Sequence, residues 1–447
     1  MPVAFVHLSD IHFGQEKGGR VVTHEDVRER LIDDVALIVP KLPNGKVRGI
    51  IVSGDVAYAG LKEQYAAAGQ WLDRLAAAAG CNITDIQVVP GNHDINRDDI
   101  CHSSEMMLAE ITEKGESKLD YFLELEKDRE VFYGRFEGFR EFAEAYDCPL
   151  DRAGGTAGER AVELAPGRAL RFIGLNSALC CAKKDEKGKL LLGARQRTLP
   201  RKAGEELVVI CHHPLPWLRD SDEARQYVRS RARVFISGHE HTPQIAVDPI
   251  RAGCDLLTIA AGATIPPVAD DEFTFTYNVL EFDWDQVSDS LVVTIHPRVW
   301  SRTETAFEAN TKVFGAERIV HTLGCPNFRG NEPQRDTAAP LEDLRSTETV
   351  RNLVANDGTT DAGSQEERNT MEDKFPFLLL RFFRDLTATQ RLTILIEMGA
   401  LPKNWNGALT HPMERRAFDS LKSSGKLDEL EREIQKFLNE SANEERD

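Results

Sequence analysis

Ile86-Gln87-Val88-Val89-Pro90-Gly91-Asn92-His93-Asp94 joins a short β-branched run to a tight turn crowded with metal-type donors, and its reading decides the fold. The run is a buried strand, and Pro-Gly ends it by reversing the chain. The same grammar recurs four times. Ala4 to Leu8 precedes Asp10-Ile11-His12, and Gly49 to Ser53 precedes Gly54-Asp55. Leu207 to Cys211 precedes His212-His213-Pro214, and Val234 to Ile236 precedes Gly238-His239-Glu240-His241. Open sheets bind ligands outside the carboxyl ends of their strands, so five such turns are expected to converge on one site. Glycines 54, 91 and 238 permit the close backbone approach that this convergence needs.

Between these strands the pattern turns helical, which gives an α/β layered domain. Val27, Leu31, Val35 and Ile38 recur at helical spacing behind Thr23, the expected cap, and a second helix runs from about Lys62 to Ala79 and stops at Gly80. Residues 103–146 read as a helical insertion after the third strand, with Phe132, Phe136, Phe139 and Phe142 on one face as core contacts. Leu170 to Leu175 is a further strand. Leu256 to Ala260, Phe273 to Phe282 and Ser290 to Ile295 read as antiparallel strands in hairpins.

The catalytic domain is expected over residues 1–328 and a flexible acidic linker, poor in apolar residues, over 329–374. A small all-α domain is expected over 375–440, where Thr387 and Gln390 form a capping box, a second helix follows Pro412, and Leu427, Leu430, Ile434, Phe437 and Leu438 form one stripe. Phe377, Leu380 and Phe383 are expected to remain open to a partner.

The chain has 447 residues, 41% of them hydrophobic, enough for more than one core. No apolar run is long enough to span a bilayer and no secretory signal precedes the first strand. The net charge of −18 disfavours nucleic acid as a partner. Eight irregularly spaced cysteines, among them the Cys180-Cys181 pair, read as reduced thiols of a cytoplasmic protein.

Carboxylate, imidazole and amide donors together suit two divalent ions, manganese first, with iron or zinc as alternatives, better than magnesium alone. The motif series D-x-H, G-D, G-N-H-[DE], His before Pro and G-H-x-H resembles the calcineurin-like metallophosphoesterase superfamily over about residues 1–300. The resemblance implies a four-layer β-sandwich flanked by helices. It implies one metal on Asp10, His12, Asp55 and His241 and another on Asp55, Asn92, His212 and His239, with Asp55 bridging. His212 is aligned as the ligand, which leaves His213 to support a ligand or to touch substrate. His93 then stands outside both shells as proton donor, and Asp94 fixes its tautomer. Two ions clamp a phosphoryl group and sharpen a bridging water into hydroxide.

Asn176 and Trp217 are further substrate candidates, although a capped turn and a buried tryptophan are the more ordinary uses. Tyr58 resembles the iron-binding tyrosine of purple acid phosphatases, but those enzymes lack the histidine found here at position 12, so Tyr58 is expected to pack beside the pocket. The leading function is a phosphodiesterase acting on a nucleotide-like or other small molecule. A repair-type nuclease is the alternative, with Arg195, Arg197, Arg201 and Lys202 as its basic surface. The helical tail faintly resembles the effector-associated, death-like adaptor modules of bacterial conflict systems, which implies a protein partner. A helical cap packed on the catalytic domain is the structural alternative.

Overall fold

The computed structural model describes residues 2–16, 20–150, 157–249, 255–266, 274–328 and 374–444. The expected linker, apart from Lys374, lies outside the described residues, as do Cys254 and Phe273.

Thirteen described strands form two sheets. They are β1 (Val3–Leu8), β2 (Gly49–Val52), β3 (Ile86–Val88), β4 (Gly158–Ala165), β5 (Arg168–Leu175), β6 (Glu205–Cys211), β7 (Ala232–Ser237), β8 (Pro243–Asp248), β9 (Leu256–Ala261), β10 (Thr276–Asp285), β11 (Ser290–Ser301), β12 (Ala306–Ala309) and β13 (Ile319–Gly324). One sheet has the order β12-β11-β10-β1-β2-β3, with β13 also on β11, and the other has the order β4-β5-β6-β7-β9-β8. β1, β2 and β3 are parallel, as are β5, β6, β7 and β9. Parallel pairs need crossovers, and the helical segments between the predicted strands supply them. Leu256–Ala261 meets the antiparallel expectation on one side only: it pairs antiparallel with β8 but in parallel with β7, and it lies in a different sheet from β10.

Phe5 of β1 meets Phe172 of β5 with ring centroids 4.9 Å apart, and Phe172 meets Phe282 of β10 at 5.7 Å. The sheets therefore pack face to face, which leaves their outer faces for helices. α1 (Arg20–Ile38) and α2 (Lys62–Ala79) pack together on the first sheet. The helix already runs from Arg20, so Thr23 sits within its first turn rather than at its cap.

The insertion folds as α3 (His102–Lys114), α4 (Glu116–Glu124), α5 (Glu126–Tyr133) and α6 (Glu137–Ala145). All four phenylalanines of its stripe are buried. Phe139 and Phe142 pack on Tyr65 of α2, which joins the insertion to the body of the domain. α7 (Ala194–Arg197) is a single turn, α8 (Ser221–Arg231) covers the second sheet, and α9 (Thr311–Phe314) is again one turn.

The tail begins with α10 (residues 374–380), which opens into a π-turn at Arg381–Asp385, and continues with α11 (Ala388–Glu397), α12 (His411–Ser423) and α13 (Leu427–Glu444). Thr387 and Gln390 form the predicted capping box. The tail is docked. Arg384 Nη1 lies 2.7 Å from Asp73 of α2, Arg391 Nη2 lies 2.9 Å from Glu141 of α6, and His411 Nε2 lies 2.7 Å from Glu144, which Arg415 also contacts. Leu380 and Phe383, expected to be open, are buried, and Phe377 alone of the three is exposed. Phe383 packs against the His411 and Phe418 rings of α12, and the ion pairs to α2 and α6 hold the tail in the packed-cap arrangement.

Candidate metal centre

The C-terminal ends of β1, β2 and β3 and of β5, β6 and β7 open onto the same edge of the sandwich. Asp10 and His12 follow β1, Asp55 follows β2, Asn92 follows β3, His212 follows β6, and His239 and His241 follow β7. A Cβ at Gly91 would run into the Asp55 carboxylate, and one at Gly238 would run into the Ser9 hydroxyl. Asp10, His12, Asp55, His239 and His241 all have left-handed backbone, with φ between 50° and 71°. Such conformations cost on the order of 1–3 kcal/mol each and persist where surrounding structure enforces them.

The carboxylate of Asp55 lies at the centre. Its Oδ2 is 3.2 Å from His12 Nε2 and 3.3 Å from His212 Nε2. Asn92 Oδ1 is 3.2 Å from His212 Nε2 and 3.0 Å from His239 Nδ1. Asp10 Oδ1 faces His241 Nε2 at 3.3 Å and, although buried, has no hydrogen bond. Four groups of donors each lie within 4.8 Å of one another: Asp10, His12 and His241; Asp10, Asp55 and His212; His12, Asp55 and His93; and His212, His213 and His239. By distance alone His93 and His213 join the donor cluster, although the resemblance places both outside the coordination shells.

Hydrogen bonds on the far side of the rings decide what each imidazole offers. His12 Nδ1 pairs with the Ile265 carbonyl at 3.3 Å, and His212 Nδ1 pairs with the Ser53 carbonyl at 2.9 Å. A carbonyl only accepts, so both Nδ1 atoms carry hydrogen and both neutral rings turn an Nε2 lone pair toward Asp55. Lone pairs facing a carboxylate repel unless a cation lies between them. The donor set therefore fits divalent ions, and in their absence a proton takes that place: burial opposes it, but the Asp55 carboxylate pushes His212 up to about 9 and raises His12. Burial also works against ionised Asp55, yet His212 and His12 hold it well below the usual carboxylate range.

His213 is turned the other way. Its backbone N–H donates to Ser177 Oγ at 3.1 Å, and Ser177 Oγ lies 2.8 Å from His213 Nδ1. With the hydroxyl donating to Nδ1, the ring carries its hydrogen on Nε2, a buried atom without a partner. Burial and the neighbouring His212 and His239 hold its pKa well below the ordinary value. His212 thus presents a lone pair and His213 a donor, a distinction invisible in His-His-Pro.

His93 donates from Nδ1 to the Tyr58 carbonyl at 2.7 Å, and the Tyr58 ring stacks on it with centroids 5.1 Å apart. Tyr58 thus packs beside the site. Burial lowers the His93 pKa; Asp55 opposes this, and His12 and Arg97 add to it. Asp94 does not fix the His93 tautomer. Its carboxylate accepts from the backbone N–H of Gly91, Val56 and Ala57 and from Tyr65 Oη at 3.0 Å, tying the Asp55 turn to the Asn92 turn. Four donors exhaust its oxygens. Burial and then Asp55 push it up to about 7.

Trp217 is half-buried, 4.1 Å from the His239 ring, and donates to Glu240 at 3.0 Å. Asn176 is fully buried, its backbone clasped by Gln196, and both polar atoms of its side chain lack partners. Three of the four basic residues expected to bind polyanions are matched by acids: Arg195 with Asp120, Arg197 with Glu116 and Asp220, and Lys202 with Glu205. That face is a mixed-charge surface. The seven described cysteines are free, and burial pushes Cys180 up to about 12. Ser177, read from the sequence beside Asn176 as a substrate contact or a capped turn, supports His213 instead, and Tyr65 and Arg97 escaped the sequence reading because neither lies in a donor motif.

Residues 3–243 match the family model described as calcineurin-like phosphoesterase. The chain belongs to that family. Residues 374–436 match the model of a GTPase-associated adaptor domain, the counterpart of the predicted adaptor-like tail. A curated relative from Bacillus subtilis (strain 168), described as the uncharacterized metallophosphoesterase-like protein YydB, is 23% identical over 285 residues, which cover 59% of this chain and 54% of the relative. The chain thus spans about half the length of that relative. Among solved structures, purple acid phosphatase PPD1 from yellow lupin seeds is 10% identical with a TM-score of 0.41, covering 77% of this chain and 57% of its own. Vps29 from Entamoeba histolytica, complexed with zinc, is 12% identical with a TM-score of 0.28, covering 71% of this chain and 99% of its own. As a calcineurin-like phosphoesterase, the chain has a donor cluster suited to a divalent metal centre. No helix among the described residues is long and apolar enough to cross a membrane.

Proposed function

We propose that this calcineurin-like phosphoesterase hydrolyses a phosphodiester in a nucleotide-like or other small molecule, using two divalent ions, manganese first among them. The observation that carries this reading is the Asp55 carboxylate, with the Nε2 lone pairs of His12 and His212 turned toward it at 3.2 and 3.3 Å. Asp10, His12, Asp55 and His241 would hold one ion, and Asp55, Asn92, His212 and His239 the other. When bound, the ions supply Lewis-acid polarisation of the phosphoryl group and an acidified water as nucleophile.

The protein's own part is positioning and proton handling. With Nδ1 committed to the Tyr58 carbonyl, His93 has Nε2 free, and in its protonated form Nε2–H is the proton source for the leaving oxygen. His213 Nε2–H and the Asn176 amide offer neutral hydrogen bonds to the remainder of the substrate, and Trp217 walls that side. Net charge of −18 and an acid-matched arginine face favour a small substrate over a polyanion. The adaptor-domain match supports a protein partner engaged through the surface of the tail that faces away from α6. A panel of mono- and diesters assayed with manganese, before and after chelation, tests the reading. Activity that survives complete removal of metal would sink it.

A further inference from the structure

Two arginines that serve as structural ties in this protein are held short and by paired contacts. Arg171 reaches Glu205 at 2.6 and 2.9 Å, and Arg298 reaches Asp34 at 2.8 and 2.6 Å. Arg97 is held differently. It follows Asn92 by five residues and folds back so that Nη2 donates to the Asn92 carbonyl at the long distance of 3.4 Å. The Asp185 carboxylate approaches the same nitrogen only to 3.7 Å, beyond hydrogen-bond range. Asp185 is anchored by its other oxygen, which accepts from the Ala182 N–H at 2.8 Å, and the oxygen facing Arg97 has no hydrogen bond. Arg97 Nε is also buried without a partner, while the side chain remains 35% exposed.

The guanidinium therefore stands beside the turn that carries Asn92 and His93, oriented by a carboxylate that does not consume its donors. Lys187, on the segment that carries Asp185, has its charge matched by Glu240 at 3.6 Å. An arginine placed this way has a planar fork to offer to an anion, and phosphate oxygens fit that fork. On the phosphoesterase reading, the anion brought to His93 is the scissile phosphoryl group.

We propose that Arg97 binds a non-bridging oxygen of that phosphoryl group, with Asp185 as its positioning residue. Clamping the oxygen places the phosphorus between the metal cluster and His93 and adds positive charge where negative charge accumulates during transfer.

The test uses the full-length manganese-loaded protein, with inorganic phosphate binding followed by calorimetry and bis(p-nitrophenyl) phosphate hydrolysis followed by absorbance. Arg97→Ala is expected to keep its metal by elemental analysis, to bind phosphate at least about 10-fold more weakly, and to lose kcat/KM on the order of 10²-fold. Arg97→Lys should recover part of the phosphate affinity but not the wild-type rate, since a point charge cannot reproduce the fork. Asp185→Asn, which leaves the arginine in place, should weaken phosphate by a few-fold and serves if Arg97→Ala does not fold. Wild-type phosphate affinity in metal-loaded Arg97→Ala, or in Asp185→Asn where the first variant is insoluble, overturns the assignment. A wild-type protein that binds phosphate through Arg97 but hydrolyses no ester counts against the proposed function and leaves this contact standing.

Discussion

The charged groups buried at the strand-end site and those buried where the tail meets α6 are arranged on opposite principles. Beneath the tail, acid meets base: Glu144 lies between His411 and Arg415, and Arg391 spans Glu141 and Glu414 at 2.9 and 2.8 Å. At the strand ends, acceptor meets acceptor. Asp55 faces the imidazole lone pairs of His12 and His212, Asn92 Oδ1 faces His212 again and a third ring, His239, and the backbone of five donor residues is left-handed. The first arrangement closes on itself. The second is complete only with cations, so it spends conformational strain on a site, whereas the interface spends desolvation on a contact.

Removing the cations, or the residue they share, should break this contrast most severely. Chelation, or Asp55→Ala, is expected to bring hydrolysis to background and metal content toward zero, while circular dichroism of the tail helices stays unchanged. A two-metal, active Asp55→Ala protein would show that the acceptor cluster is not the metal centre.

His93 separates binding from chemistry within the same site. His93→Ala should retain metal yet lose turnover by about 10²- to 10⁴-fold, the usual loss when a general acid is removed. Loss of metal instead would place His93 among the ligands, as its distance to His12 and Asp55 permits.

On the other side of the comparison, Arg391→Ala leaves Glu414 buried opposite an empty space. Breaking a buried pair from one side costs about 3–5 kcal/mol, so denaturant unfolding should register a loss of that order. Truncation after Phe328 should go further in the same direction, exposing apolar surface of α2 and α6 and lowering solubility. A truncated fragment as stable as the full chain would show that the tail contact contributes nothing.

Acid should loosen the interface before it touches the sheets. Burial alone would raise the pKa of Glu144, but His411 and Arg415 hold it below its ordinary value. A depressed carboxylate stabilises above the unfolded pKa of 4.5 and loses that contribution as pH falls through the folded value. Proteolysis of the tail should therefore accelerate as pH falls below about 4.5, and Glu144→Gln should flatten the profile. Identical profiles for both proteins would remove Glu144 from the account.

The smallest effect is expected where the two regions meet. Tyr65 packs on Phe142 of α6 and donates to Asp94 behind the Asp55 turn. Tyr65→Phe removes one hydrogen bond, about 1 kcal/mol of stability, and should lower the rate only a few-fold. A larger kinetic loss would reveal coupling between tail and site.

Much of this was legible in the chain because it is local. A β-branched run, a Gly-containing turn and a donor form a pattern of fewer than ten residues, and it located β1, β2, β3, β6 and β7 together with the donors at their ends. Gly80 and the Thr387 capping box were readable for the same reason. β4, β8, β12 and β13 were missed because their residues are half-exposed at sheet edges and carry too little apolar alternation to mark them.

By itself, then, the sequence determined which residue types stand at the strand ends and in what order, since strand, turn and donor are neighbours along the chain. Tertiary structure alone decided the rest. It gave His212 a lone pair and His213 a hydrogen because Ser53 and Ser177, far away in sequence, touch their other nitrogens. It turned Asp94 toward three backbone N–H groups and Tyr65 instead of His93. It set Arg384 against Asp73, 311 residues apart, and so chose the packed cap over the independent module, both of which the tail's sequence leaves open. A hydrogen bond or an ion pair depends on which group faces it across space, and no spacing along one strand carries that information.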